Sequence, residues 1–268
     1  MATASLPMYD IPEVRNAHDA FWAVLAQNMR NYGLHNVPDH LAHDTPVNTL
    51  WNDPDLLISQ CCGYDIVQGY KDILRPVATP KFAAFGCLGE NYCSSIVVSA
   101  DCPYGDVREM AGTIAVINGP QSHSGMSTLR HLVAQSHDKG RFFGQVKISG
   151  SHKSSLDMIR QNKANIAAID SVTLALMCKH QNHTMEGLKI LGSTYTAPAP
   201  PYVVRANLHE SDVQKITQAL VDTFEEPTLA SQRAQLLLNG LTLTTQEDYW
   251  IMEAYKDHAT KHGFPSLQ

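Results

Sequence analysis

The sequence predicts an α/β fold, and two observations carry that expectation. Short apolar runs alternate with stretches in which apolar residues recur every three or four positions. The junctions between them are polar and rich in Gly and Ser, as strand-to-helix turns are, which implies largely parallel strand pairing. The 268 residues are 44% hydrophobic and 17% charged, enough core material for one large domain or two small ones.

The elements follow in order. Met1-Ala-Thr-Ala-Ser-Leu-Pro7 runs straight into what reads as a first strand. Pro12 suits a first helical turn, and Val14, Ala17, Phe21, Leu25 and Met29 then keep helical spacing until Gly33 stops the helix. Leu56-Leu57-Ile58 reads as a short buried strand, and so do Ile96–Val98, Ile114–Ile117 and Ile166–Ile169. Between the last two, one helix opens near Ser122 and another near Ser151. From about Ser211 to His258 the pattern reads as successive helices with no strand.

Composition narrows the function classes. With 16 Gly and 14 Pro the chain is neither collagenous nor low in complexity. No apolar run approaches the ~18 residues of a transmembrane helix. The net charge of −6 argues against a nucleic-acid partner. Charge is unevenly distributed, with a balance of +3 over residues 101–200 and −9 over the rest. A basic middle set in an acidic frame suits an anion, although ordinary solvated faces give the same pattern. Five of the six cysteines lie between Cys61 and Cys102, without a C-x-x-C pair, and read as mostly reduced and partly buried. A bridge between Cys87 and Cys93 stays open at this level. The N-terminus has no basic and apolar export signal, so the protein is cytoplasmic if the sequence is complete and periplasmic if a signal has been removed.

Three junctions carry candidate chemistry. Asn118-Gly-Pro-Gln-Ser-His-Ser-Gly-Met126 follows a strand and opens a helix, whose N-terminus offers unpaired N–H donors and about +0.5 of a charge. Oxyanions suit such a place, and a plain N-cap by Ser122 or Ser124 suits it equally. Ser149-Gly-Ser-His152 opens a second helix with His152 in its first turn, and Asp170-Ser171 a third, where Asp170 also reads as a cap. Catalytic signatures are weak, with no G-x-S-x-G and no H-E-x-x-H. His40/His43 and His180/His183 have helical spacing but no third ligand, so no metal is expected.

Taken in order, Leu6-Pro-Met-Tyr-Asp10, Leu57-Ile-Ser-Gln-Cys-Cys-Gly-Tyr64, Tyr92-Cys-Ser-Ser-Ile-Val-Val98, Ser122-His-Ser-Gly125, Gly150-Ser-His152 and Ala168-Ile-Asp170 resemble the phosphonate/phosphite/phosphate family of periplasmic solute-binding proteins, which serve ABC transporters. The resemblance covers Leu6 to about Val204. It implies a type II periplasmic-binding fold, two α/β lobes joined by two crossover strands and closing over a ligand. Lobe 1 would be 1–98 with 203–268, and lobe 2 the inserted 99–202, with crossings near Ile96–Asp101 and Ala199–Val203. It also implies a ligand set of Tyr9, Gln60, Tyr92, Ser122, His123, Ser124, Gly125, His152 and Asp170. In that set Ser122–Gly125 hold the oxyanion through hydroxyls and backbone N–H groups. His123 stands where relatives often have Thr. Protonation of His123 and His152 near pH 6.5 would tighten anion binding between pH 8 and 6.

The implied function is non-catalytic capture of a small oxyanion or phosphonate-like solute, with an ABC permease as partner, no cofactor and no nucleic acid. Aminoalkylphosphonate binders of this type carry an acid in the second crossover. Ala197-Pro-Ala-Pro-Pro201 has none, which favours a ligand without an amine. Two further readings share the scaffold. One is an enzyme related to thiamine-pyrimidine synthases, for which Cys61-Cys62 is a foothold, although that family's longer Cys/His cluster and cofactor lysine have no counterpart here. The other is a cytoplasmic ligand sensor.

Overall fold

The computed structural model describes residues 2–137 and 140–267; Met1, Asp138, Lys139 and Gln268, which the expected lobes include, lie outside the described residues. The chain begins with β1 (Thr3–Ser5), α1 (Arg15–Asn31), α2 (Val47–Trp51), β2 (Leu56–Gln60), α3 (Gly63–Asp65) and β3 (Leu74–Phe82). It continues through β4 (Asn91–Tyr92), β5 (Ser94–Ser99), β6 (Ile114–Ile117), α4 (Thr128–Ala134), β7 (Gln145–Ile148), α5 (His152–Arg160), β8 (Ile166–Asp170), α6 (Ser171–His180) and β9 (Leu188–Ser193). It closes with β10 (Ala197–Pro198), β11 (Tyr202–Arg205), α7 (Glu210–Glu225), α8 (Ala230–Gln235), β12 (Leu238–Leu243) and α9 (Trp250–Lys261). By internal packing the residues form two units. The first comprises Met1–Ala83, Leu88–Glu90 and Pro198–Tyr249, the second Ala84–Cys87, Asn91–Ala197 and Trp250–Gln268.

The first unit is built on a sheet of order β1-β2-β11-β3-β12. Among the described residues only β1 and β2 of this sheet pair in parallel, while β11 runs antiparallel to both β2 and β3, and β12 antiparallel to β3. β2 is buried along its whole length, as a strand covered on both faces must be. Helix α1 buries Ala17, Phe21, Leu25 and Met29, the face that its sequence spacing predicts. It stops at Gly33, whose φ of +82° suits glycine, and the Leu34 N–H donates to the Met29 carbonyl at 3.1 Å.

The second unit is built on a sheet of order β7-β6-β8-β5-β9. Strands β7, β6 and β8 are parallel, and β5 runs antiparallel to β8 and β9. Apolar clusters lie around Ile96, Ile117, Leu129, Phe142 and Phe143, and around Val97, Leu156, Ile169 and Leu174. Residues 96 and 97 alternate between them because strand side chains alternate faces.

Four expectations are corrected. Parallel pairing is confined to part of each sheet, because β11 in the first unit and β5 in the second run against their neighbours. The region read as all helix contains β12, whose half-buried edge position leaves no clean apolar alternation to detect. The chain leaves the first unit earlier than expected, between Ala83 and Asn91, and β5 belongs wholly to the second unit. The expected boundary at residue 98 falls within that strand. Trp250–Gln268 also group with the second unit rather than with the first lobe, because Ala259, Phe264 and Leu267 are buried in the cluster with Phe142 and Phe143.

Candidate functional site

In the second unit, register brings the sequence junctions together. Ile117 pairs with Ile148 and Ala115 with Ile166, so the chain emerges from β6, β7 and β8 at one sheet edge, the carboxyl end of parallel strands. The helix after β6 opens with a wide turn in which the Ser127 N–H donates to the Ser122 carbonyl at 3.0 Å, leading into α4. Ser122 caps this turn, its Oγ accepting from the Gly125 N–H at 3.0 Å. That amide, expected to serve an oxyanion, is therefore engaged by Ser122. Gly125 matters by lacking a side chain, since a Cβ there would collide with Asn118 Oδ1.

The Ser124 hydroxyl lies 3.4 Å from that of Ser122 and 3.0 Å from His152 Nε2. Ser94 on β5 donates its hydroxyl to the Ser124 carbonyl at 2.8 Å, and register sets Ser94 opposite Asp170. Asp170 is buried and caps α6, its Oδ1 accepting from the Thr173 N–H at 2.8 Å. Ser122, Ser124 and His152 thus form one connected group, which Ser94 ties to β5 opposite Asp170. Ser94 lies inside a motif the sequence offered, but nothing in its spacing distinguished it from Ser95.

Both histidines differ from expectation. Burial lowers His152 to about pH 4 and His123, fully buried, to about pH 3, so both are neutral at physiological pH. A neutral His152 that donates from Nε2 leaves the Ser124 O–H free for another acceptor. The 3.0 Å contact fits either tautomer, and the one protonated at Nε2 is the one that frees the hydroxyl. The His123 ring is stacked near Tyr255, with centroids 6.2 Å apart and planes at 10°, and lies 6.4 Å from the Tyr92 ring. Tyr255 is in turn stacked on His131 at 4.3 Å. Tyr92 is buried, and its ring belongs to the same packed row. Tyr255 is missed by the sequence reading because its helix, α9, follows first-lobe elements in the chain, and His131 because it lies in α4 outside the motifs that the sequence offers.

Tyr9 and Gln60 belong to the first unit, where both are buried and line a cavity of about 10 Å³ with His18, Phe82 and Tyr202. His18 Nε2 lies 3.3 Å from the Tyr9 carbonyl oxygen, and burial lowers the pKa of this histidine. Gln60 Oε1 and His18 Nδ1 are buried and have no hydrogen-bond partner among the described residues. Among the described residues no group of three His, Cys, Asp or Glu is arranged to hold a metal ion, and no helix is long and apolar enough to cross a membrane.

A family model described as ABC transporter, phosphonate, periplasmic substrate-binding protein matches residues 58–249, more than half of the chain. Among solved structures, PhnD1 from Prochlorococcus marinus in complex with methylphosphonate superposes with a TM-score of 0.78 at 11% identity, covering 97% of this chain and 98% of that one. A binding protein component of an ABC phosphonate transporter from Pseudomonas aeruginosa gives 0.72 at 14% identity, covering 97% and 87%. XAC2383 from Xanthomonas citri, bound to ATP, gives 0.72 at 11%, covering 97% and 98%. At such identities the likeness establishes the fold, which is the type II periplasmic-binding fold. No curated protein is a significant match to the sequence.

Proposed function

We propose, from the premise that the chain belongs to the family of periplasmic substrate-binding proteins of ABC phosphonate transporters, that it captures a small phosphorus oxyanion without transforming it. The observation that carries the reading is the turn at Ser122–Gly125. Its two hydroxyls stand 3.4 Å apart at the open end of a helix, and one of them is braced by a neutral imidazole. A phosphonate head presents several acceptor oxygens to such donors at once.

The other contacts follow from this reading. Asp170, the one carboxylate in the candidate set, favours a ligand that keeps a proton or a neutral tail over a full dianion. Ala197-Pro-Ala-Pro-Pro201 supplies no acid for an ammonium group, so an alkylphosphonate without an amine fits better than an aminoalkylphosphonate. Gln60 and His18, with buried polar atoms still to be satisfied, are the first unit's candidates for a polar contact to a ligand. Delivery to an ABC permease, in the periplasm that the family name specifies, completes the role.

Titration calorimetry with methylphosphonate tests the reading. Binding is expected, and Ser122→Ala with Ser124→Ala removes two donors worth about 1.5–3 kcal/mol each to a charged acceptor. Circular dichroism checks the fold of the double variant, since Ser122 is also a cap. Unchanged affinity in a folded double variant would reject the site.

A further inference from the structure

We infer that Cys87 and Cys93 form a redox-active dithiol, which closes to a disulfide when a disulfide-bearing small thiol or protein serves as oxidant. Both belong to the second unit, Cys87 half-buried and Cys93 buried, and both are free thiols in the structure.

One serine contacts both cysteines. Cys87 Sγ lies 3.8 Å from Ser171 Oγ. The Ser171 O–H donates to the Cys93 carbonyl at 2.7 Å, which leaves its oxygen lone pairs to accept from the Cys87 thiol. The Ser171 N–H donates to the same carbonyl at 3.1 Å, so Cys93 is held at the cap of α6 by its backbone. Residue 86 approaches Cys93 so closely that a Cβ on Gly86 would collide with Cys93 Sγ, which places the chain just before Cys87 against that sulfur. The pair flanks Leu88–Glu90, the short excursion of the chain into the first unit. A bridge would therefore tie the two ends of that excursion together. Cys61 and Cys62 are less suited, because adjacent cysteines rarely meet disulfide geometry.

The exchange has two steps. Cys87, the more accessible thiol, loses its proton and its sulfur attacks the oxidant's disulfide, forming a mixed disulfide and releasing one oxidant thiol. Cys93 then loses its proton and attacks Cys87 Sγ, forming the Cys87–Cys93 bond and releasing the second oxidant thiol. Two protein thiols are oxidised, one oxidant disulfide is reduced, and the two protons end on the released thiols. Burial pushes Cys87 up to about pH 11 and raises Cys93 also. The thiolate fraction, and with it the rate, should therefore rise about tenfold per pH unit between 7 and 9.

The test treats reduced full-length protein with oxidised glutathione, alkylates the remaining thiols and maps non-reduced peptides by mass spectrometry. The expected product is a peptide pair joined through Cys87 and Cys93, lost on reduction and absent from Cys87→Ser and from Cys93→Ser. The wild-type map alone decides if a serine variant fails to fold. A lasting glutathionyl group on Cys87 with Cys93 still alkylated would overturn the inference. So would both thiols remaining alkylatable under conditions that modify the exposed Cys178.

Discussion

The contact between His152 Nε2 and Ser124 Oγ, 3.0 Å long, sets what the ligand turn can do with pH. Because burial holds His152 near pH 4 and His123 near pH 3, neither gains charge between pH 8 and 6. Affinity for an oxyanion of fixed charge, such as sulfate, should stay flat over that range and tighten only as pH approaches about 4. This replaces the tightening between pH 8 and 6 that unperturbed histidines would give; competition titrations that show such tightening would reject the neutral assignment. His152→Ala removes one neutral hydrogen-bond partner of Ser124, worth about 0.5–1.5 kcal/mol, and should weaken binding by roughly two- to tenfold at every pH in that window. Stability carries the opposite sign. A histidine lowered on folding binds protons more readily when unfolded, so its contribution is complete above about pH 6.5 and is lost as pH falls toward its folded value. His123, His152 and His131, the last also lowered to about pH 4, all act in this direction. Melting temperature should fall steadily from pH 6.5 to 4, with each histidine contributing on the order of 3 kcal/mol at most.

At the scale of the element, the helix opening at Ser122 depends on a void that only glycine leaves. Gly125→Ala would drive a methyl into Asn118 Oδ1, an atom buried without a partner among the described residues. Overpacking of this kind costs about 1–3 kcal/mol. The expected outcome is a lower melting temperature for Gly125→Ala and weaker methylphosphonate binding, with both effects relieved in Asn118→Ala/Gly125→Ala; an unrelieved double variant would place the strain elsewhere. Elements with such local determinants were legible in the sequence. The run Ala17-Phe21-Leu25-Met29 followed by Gly33 marks α1 because the apolar period and the left-handed stop are both local. Ser122, Ser151 and Asp170 mark helix starts because each caps its own helix. β12 was not legible: its central Asn239-Gly240 imitates a turn, and its order derives from pairing with β3, distant in sequence. The site divides in the same way. The Ser122–Gly125 and His152 junctions were visible as local motifs. Ser94 and Tyr255 join them only through strand pairing and through the return of α9.

For the whole molecule, the charge step and the motif order pointed to an inserted segment, but the placement of its boundaries required packing that no local pattern encodes. The clearest case is the C-terminus. Trp250–Gln268 follow elements of the first unit in the chain, yet Ala259, Phe264 and Leu267 are buried in the second unit's core beside Leu129, Val133, Phe142 and Phe143. Arg130 adds a polar tie, with its guanidinium donating to the Pro265 carbonyl at 2.9 Å. The last residues of the chain therefore complete a core whose sheet was laid down between residues 94 and 193. Phe264 is fully buried, so Phe264→Ala should cost about 3–5 kcal/mol. Its effect should appear first in the second unit, as earlier hydrogen exchange at the amides of β6 and β8, whose Ile117 and Ala168 share the cluster with Phe264. A loss below about 1 kcal/mol, with β6 and β8 protection unchanged, would mean that the C-terminal segment only covers the unit and does not build it.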